Sequence, residues 1–337
     1  MRRFILKTLW ALSPLLPLAA LYYALDPFRV VWHHEVFYDP DDSVWVNLNA
    51  DYVATCTYDQ RYAEEHYDAF IFGNSRSRYY PVADWRQHLP EGRHPYHFDA
   101  HSESLYAMTR KVEYIERQGR PLRDALLIID RTLLEQDKAA TPHLNHISPQ
   151  LEGNTLAARV AFQTASLKAW FSPKFMLSYI DAQLFNTLRP YMVHAATMMK
   201  PYPYDPHTNE ETMADEEARI AAGTYYDEPD IQRCFMKPQR PGAIDDAVIG
   251  QPERDLLLRM RDVFRRKGTD YHVIVSPLYD QVRLNPSDLA ALEDIFGTSR
   301  VHDYSGVNAI TADRHNYYEP YHYRPTVARH IMQEIYR

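Results

Sequence analysis

Short apolar runs that end at glycine, serine or aspartate alternate along this chain with stretches whose apolar positions recur every three or four residues. The first run, Phe70-Ile71-Phe72, stops at Gly73. Having no polar face, it predicts a strand buried between two helical layers. Tyr96-His97-Phe98 predicts a second strand. Ser102 then stands where a helix cap belongs, ahead of Leu105, Met108, Val112 and Ile115 at helical spacing, with Gly119 as the stop. Leu126-Leu127-Ile128-Ile129 predicts a third strand, ending at Asp130-Arg131. The rhythm returns at Pro252, which opens a helix striped by Leu256, Leu257, Met260, Val263 and Phe264 and closed by Gly268. His272-Val273-Ile274-Val275 follows as a strand. Ser287 is placed to cap a helix carrying Leu289, Leu292, Ile295 and Phe296, and Arg300-Val301-His302-Asp303-Tyr304 predicts a last short strand. A helix from Pro325 has Val327, Ile331 and Ile335 on its inner side. Strands joined through helices imply a parallel sheet with crossover connections, hence an α/β fold: a three-layer αβα sandwich around a central parallel sheet.

Two stretches interrupt that rhythm. Residues 135–250 read as a largely helical insertion: helix over 157–188, broken at Ser172-Pro173, then a region rich in proline, tyrosine and acids from Pro201 to Pro229. Irregular segments of this length cover a site or move. At the other end, Met1-Arg2-Arg3 precedes an apolar segment from Phe4 to Leu25, long enough to cross a bilayer with its arginines on the cytoplasmic side. A cleaved signal peptide is the competing reading, but no small-x-small site stands before Asp26. The expected organisation is an anchor at 1–25, a membrane-proximal lead at 26–58, and one domain at 59–337 interrupted at 135–250. It describes a single-pass protein of the inner (cytoplasmic) membrane whose bulk faces the periplasm or extracytoplasmic side.

Composition narrows the classes. With 45% hydrophobic and 24% charged residues, the 337-residue chain has the make-up of a globular protein with a full core. Its formal net charge of −8 argues against nucleic-acid binding. The 26 tyrosines suit partly buried structural positions better than sugar stacking. Cys56 and Cys234 leave one disulfide open in an oxidising compartment and make no metal motif. His33-His34-Glu35 is an incomplete ligand set. Neither a cofactor nor a metal is called for.

The candidate chemistry sits at two distant places. Gly73-Asn74-Ser75 puts a serine just past a buried strand, at the sheet edge where open α/β folds bind ligands. Glu319-x-x-His322 puts a carboxylate and an imidazole just before the last helix. A serine hydroxyl needs such a base to become a nucleophile at neutral pH. The two motifs together resemble the SGNH (GDSL-like) hydrolase superfamily. The closest likeness is to its membrane-anchored branch of teichoic acid D-alanine transfer and alginate O-acetylation proteins. The resemblance implies Ser75 as nucleophile, His322 as base and Glu319 in place of the usual aspartate. Asp313-Arg314-His315 is a rival D-x-H pair, and Ser77 a less favoured nucleophile. The superfamily's glycine and asparagine oxyanion donors are missing: those loops read Asp99-Ala100-His101 and Asp130-Arg131. What remains is the Ser75 N–H and the amides near Ala100, with Asn74, Arg76 and Asp130 facing the substrate; Arg76 and Arg78 suit an anionic glycan or phosphate. The implied activity is that of a serine esterase or O-acyltransferase modifying a cell-envelope polysaccharide, partnered by a polytopic membrane-bound O-acyltransferase. The alternative, favoured by the missing donors, is a non-catalytic glycan-binding or complex-organising protein.

Overall fold

The computed structural model describes Met1, Ser13, residues 15–236 and residues 239–337. The chain forms two compact units, Ala50–Ala140 with Tyr202–Arg337, and Met1–Asn49 with Thr141–Pro201.

The larger unit runs α1 (Ala50–Glu65), β1 (Ala69–Gly73), β2 (Pro95–His97), α2 (Leu105–Arg117), β3 (Asp124–Ile129), α3 (Gln251–Lys267), β4 (Asp270–Val275), α4 (Pro286–Phe296) and β5 (Val301–Asp303). A two-stranded hairpin, β6 (Tyr317–Glu319) and β7 (His322–Tyr323), precedes the last helix, α5 (Pro325–Ile335). The sheet has the order β2-β1-β3-β4-β5, and every pairing in it is parallel. Every residue of β1 and β3 is buried, which explains why neither has a polar face. On one face Ala69, Ile71, Leu126, Ile128 and Ile274 pack with Val327, Ala328, Ile331 and Met332 of α5. On the other, Phe70 meets Tyr58 of α1 with ring centroids 5.7 Å apart. Helices thus cover both faces of a central parallel sheet.

Both anticipated helix caps are displaced by two residues. Ser104, not Ser102, caps α2, its side chain accepting from the Ala107 N–H at 3.0 Å. Asn285, not Ser287, caps α4, with Pro286 in the first turn. In both cases the boundary falls near the expected residue, but a polar residue two positions away, later for α2 and earlier for α4, has the non-helical backbone that lets its side chain turn back onto the helix.

The division of the chain also differs from the expected one. Residues 50–58 are the start of α1, with Tyr58 packed on Phe70 of the sheet, so the expected lead stops at Asn49. The anticipated insertion is split: 141–201 joins the N-terminal residues, and 202–250 belongs with the sheet. Aromatic burial explains the first part. Tyr22 and Phe28 pack on Trp170 and Phe175 from the helix pair Leu156–Trp170 and Pro173–Phe185, whose break falls at the expected Ser172-Pro173. Cys56 and Cys234 are both free thiols. Part of the expected spanning segment, Phe4 to Leu25, lies outside the described residues (4–12 and 14); Leu15–Leu25 is helical. Among the described residues no helix is long and apolar enough to cross a membrane.

Gly73 closes β1 at a point where no side chain fits. A Cβ there would lie 2.6 Å from the Ile128 carbonyl oxygen and 3.0 Å from the Ser77 Cβ, on a backbone with φ of +156°. Gly73→Ala is therefore expected to lower stability by about 1–3 kcal/mol, read as a lower urea midpoint. An unchanged midpoint would mean that β1 and β3 separate more easily than their packing implies.

Candidate active site

The strand order turns back at β1: its chain continues to β2 on one side and later to β3 on the other, so a crevice opens past the ends of β1 and β3. Ser75 lies on the turn that leaves β1 at this crevice. Three groups fix that turn. Ser77 N–H returns to the Asn74 carbonyl at 3.0 Å, the Asn74 side-chain amide donates to Asp130 Oδ2 at 2.6 Å, and Arg76 Nη1 donates to the same oxygen at 2.8 Å. Asp130 is itself held by capping the short helix Arg131–Leu134. It is 3% exposed, and the buried charge is offset by the Arg76 guanidinium.

His322 arrives from the opposite end of the chain. Its Nε2 is 2.7 Å from Ser75 Oγ, and its Nδ1 is hydrogen-bonded to Glu319 Oε1. An ionised carboxylate only accepts, so Nδ1 carries the proton and Nε2 is left to accept from the serine hydroxyl. The β6–β7 hairpin makes this possible: Glu319 and His322 are cross-strand partners, and the other Glu319 oxygen accepts the Tyr321 N–H at 3.0 Å. The E-x-x-H spacing thus belongs to a tight hairpin that sets acid and base side by side.

The hairpin is braced from the region that lacked periodicity. Tyr225 and Tyr226 hydroxyls donate to the carbonyls of Tyr318 and Tyr317, both at 2.9 Å. Glu217 receives the Tyr318 hydroxyl at 2.7 Å and both arms of Arg324 at 2.8 and 2.6 Å. The abundant tyrosines are here structural, each burying a ring and ending in a hydrogen bond.

The remaining expected residues divide sharply. Asp313 and His315 do pair, at 2.8 Å, but each side chain is 56% exposed and the imidazole leans on the Tyr226 ring, not on Ser75. Ser77 is fully buried and donates to Asp99 Oδ2 at 2.6 Å, out of reach of any substrate. The Asp99 carboxyl also meets His97 Nδ1 at 3.2 Å. Burial opposes charge on both groups, yet their pairing holds Asp99 below and His97 above the ordinary range. The Ala100 N–H, expected as an oxyanion donor, is spent on the Gly73 carbonyl at 3.3 Å. The Asn74 and Arg76 side chains are likewise committed to Asp130. Among the described residues the Ser75 N–H has no partner, and of the anticipated donors it alone remains for an oxyanion.

Arg78, expected to face an anionic substrate, is instead engaged by Glu211, which with Tyr202 had no sequence signal. Beyond this ion pair, Glu211 accepts from the Tyr202 hydroxyl at 2.7 Å and lies 3.2 Å from His101 Nε2. The His101 imidazole is held below its ordinary range by desolvation first and then by the Arg78 guanidinium beside it. This Arg78–Glu211–His101 cluster borders the Ser75–His322 pair. Among the described residues no group of three or more His, Cys, Asp or Glu side chains is placed to hold a metal ion.

No protein-family model matches this chain, and no curated protein matches it.

Proposed function

We propose that this protein is a serine-dependent esterase or O-acyltransferase of the SGNH-like type. The observation that carries the reading is the continuous line from Ser75 Oγ through His322 to Glu319, with 2.7 Å between hydroxyl and imidazole. In the first half-reaction the Ser75 oxygen attacks the carbonyl carbon of an ester while its proton passes to His322 Nε2. The tetrahedral oxyanion faces the Ser75 N–H. Collapse expels the alcohol, which takes the proton from His322, and leaves the acyl group on Ser75. An acceptor hydroxyl or water then attacks in the same way, giving transfer or hydrolysis.

The substrate class follows from the proposed location. With Phe4 to Leu25 as an uncleaved anchor, the unit bearing Ser75 stands outside the cytoplasm, beside the polysaccharides of the cell envelope. Acyl-coenzyme A is not at hand there, and a single spanning helix forms no passage. A polytopic membrane-bound O-acyltransferase would deliver the acyl group, and the envelope polymer would accept it.

The test is labelling of the purified protein by a serine-reactive fluorophosphonate, followed by peptide mass mapping. Modification at Ser75, lost in His322→Ala, is the expected result. A second reading, a non-catalytic glycan-binding or complex-organising protein, draws on one observation: the Ala100 amide and the Asn74 side chain are both occupied. An unlabelled Ser75 in folded protein would favour it.

A further inference from the structure

The two helices of residues 156–185 are apolar on the wrong side for a water-soluble unit. In Pro173–Phe185, the buried Phe175, Ser178, Tyr179 and Ala182 face inward. Leu177, Ile180 and Leu184, spaced by three and four residues, form an outward stripe that continues into Phe185. Leu156–Trp170 repeats the arrangement, with Phe162 and Trp170 inside and Leu156 and Val160 outside. These six outward side chains are between 47 and 71% exposed. A helix packed on a core and facing water carries polar residues on that outer side. Here leucine, isoleucine, valine and phenylalanine form the outward stripe, with Arg159, Lys168, Lys174 and Gln183 exposed beside it, which marks a surface that something apolar covers.

Two further observations name the cover. The helix pair is tied to the apolar N-terminal helix Leu15–Leu25. Trp170 Nε1 donates to the Leu18 carbonyl at 2.9 Å, and the Tyr22 hydroxyl donates to Gln163 Oε1 at 3.0 Å. The charge is also inverted: residues 141–201 hold five basic side chains (Arg159, Lys168, Lys174, Arg189, Lys200) and two acidic ones (Glu152, Asp181), in a chain of net charge −8. Basic residues flanking an apolar face are the arrangement of a helix lying in a bilayer interface, where long cationic side chains reach the headgroups. Another protein surface would not call for the basic excess or the continuity with the N-terminal helix.

We propose that the helices Leu156–Trp170 and Pro173–Phe185 lie in the extracytoplasmic leaflet of an anionic bilayer, as an in-plane contact additional to the anchor. The inference rests on the membrane-anchored part of the reading above and is independent of the esterase chemistry. Such a contact would restrict the tumbling that a single flexible tether allows the unit carrying it.

The experiment uses the full chain with Cys234→Ser, reconstituted in vesicles of phosphatidylethanolamine and phosphatidylglycerol. Nitroxide labels are placed singly at Leu177→Cys, Leu184→Cys and Val160→Cys, leaving the buried Cys56 in place. The expected result is oxygen-accessible, nickel-excluded labels at a depth of about 5–10 Å below the headgroups. In a Leu177→Glu/Phe185→Glu background, the label at Val160→Cys is expected to become nickel-accessible while the circular dichroism spectrum stays unchanged. Nickel access at all three labels in membrane-bound protein would overturn the inference and leave the anchor reading standing. Labels shielded from both reagents would overturn it in favour of a protein cover, either a second copy or a polytopic partner. Failure of the full chain to associate with vesicles would overturn the inference and the anchor reading together.

Discussion

Ser75→Ala is expected to lower kcat for hydrolysis of a small acetyl ester by about 10⁴-fold or more, and His322→Ala by a similar factor. The reason is that neither residue works without the other: the hydroxyl needs the imidazole 2.7 Å away to take its proton, and the imidazole has no other nucleophile in contact. Glu319→Gln keeps the shape of the hairpin but offers an amide where Nδ1 needs an acceptor of fixed charge. It is expected to cost about 10²- to 10⁴-fold in kcat, with little change in KM. Asp313→Asn/His315→Gln, altering the exposed rival pair, should leave turnover within about twofold, since substitutions that touch only solvated groups rarely change a site. The absolute rate should nonetheless be modest. One missing oxyanion donor typically costs about 10²- to 10³-fold in kcat, and the Ala100 amide is already engaged by Gly73. Steady-state kinetics on the four variants decides the assignment. Wild-type turnover in Ser75→Ala would place the nucleophile elsewhere, and full activity in the absence of His322 would dissolve the triad.

Lys111→Met is expected to be the most destabilising single change in the larger unit, by about 3–5 kcal/mol. The Lys111 ammonium is wholly buried in α2, 2.8 Å from Asp51 Oδ1 at the start of α1 and bonded to Glu103 just ahead of α2. It also stands 5.3 Å from the centroid of the Phe98 ring. Burial and the nearby Asp51 carboxylate hold the Glu103 carboxyl above its ordinary range even against the pull of Lys111, so the cation is what keeps two buried acids compatible. Removing it strands both. Against a typical domain stability of about 5–15 kcal/mol, the loss is a large share. The measurement is urea unfolding at neutral pH, where a lower midpoint with an unchanged slope is expected. Adding Asp51→Asn and Glu103→Gln to Lys111→Met should recover much of the loss, because no charge is then left unpaired. A Lys111→Met protein as stable as the original would mean that water reaches this triad.

The periodicity of the chain already contained the sheet. Phe70–Gly73, Leu126–Ile129 and His272–Val275 read as strands, because short apolar runs bounded by turn residues suit a sheet covered on both sides, and that cover was visible as helical stripes in 105–115, 256–264 and 327–335. The two motif ends were equally local. A serine after a glycine-terminated strand and a carboxylate three residues before a histidine are readable wherever they occur. Their meeting at 2.7 Å is a property of the sheet order, which returns the last hairpin to the edge of β1.

Other features were decided by partners far along the chain. The caps moved from Ser102 to Ser104 and from Ser287 to Asn285 because capping depends on one residue's backbone angle, which composition does not fix. The Ala100 amide was lost to the Gly73 carbonyl through the pairing of neighbouring strand ends. Glu211 reached Arg78 and His101, and Tyr225 and Tyr226 reached the hairpin that carries Glu319 and His322, from a stretch with no period to read. The anticipated single insertion became two pieces because its helices and its tyrosines bury their rings against different neighbours. Short-range order follows from backbone preference and apolar spacing, which each segment carries within itself. Long-range polar pairing follows from which surfaces remain unsatisfied after the core has formed, and that is settled only when the whole chain has packed.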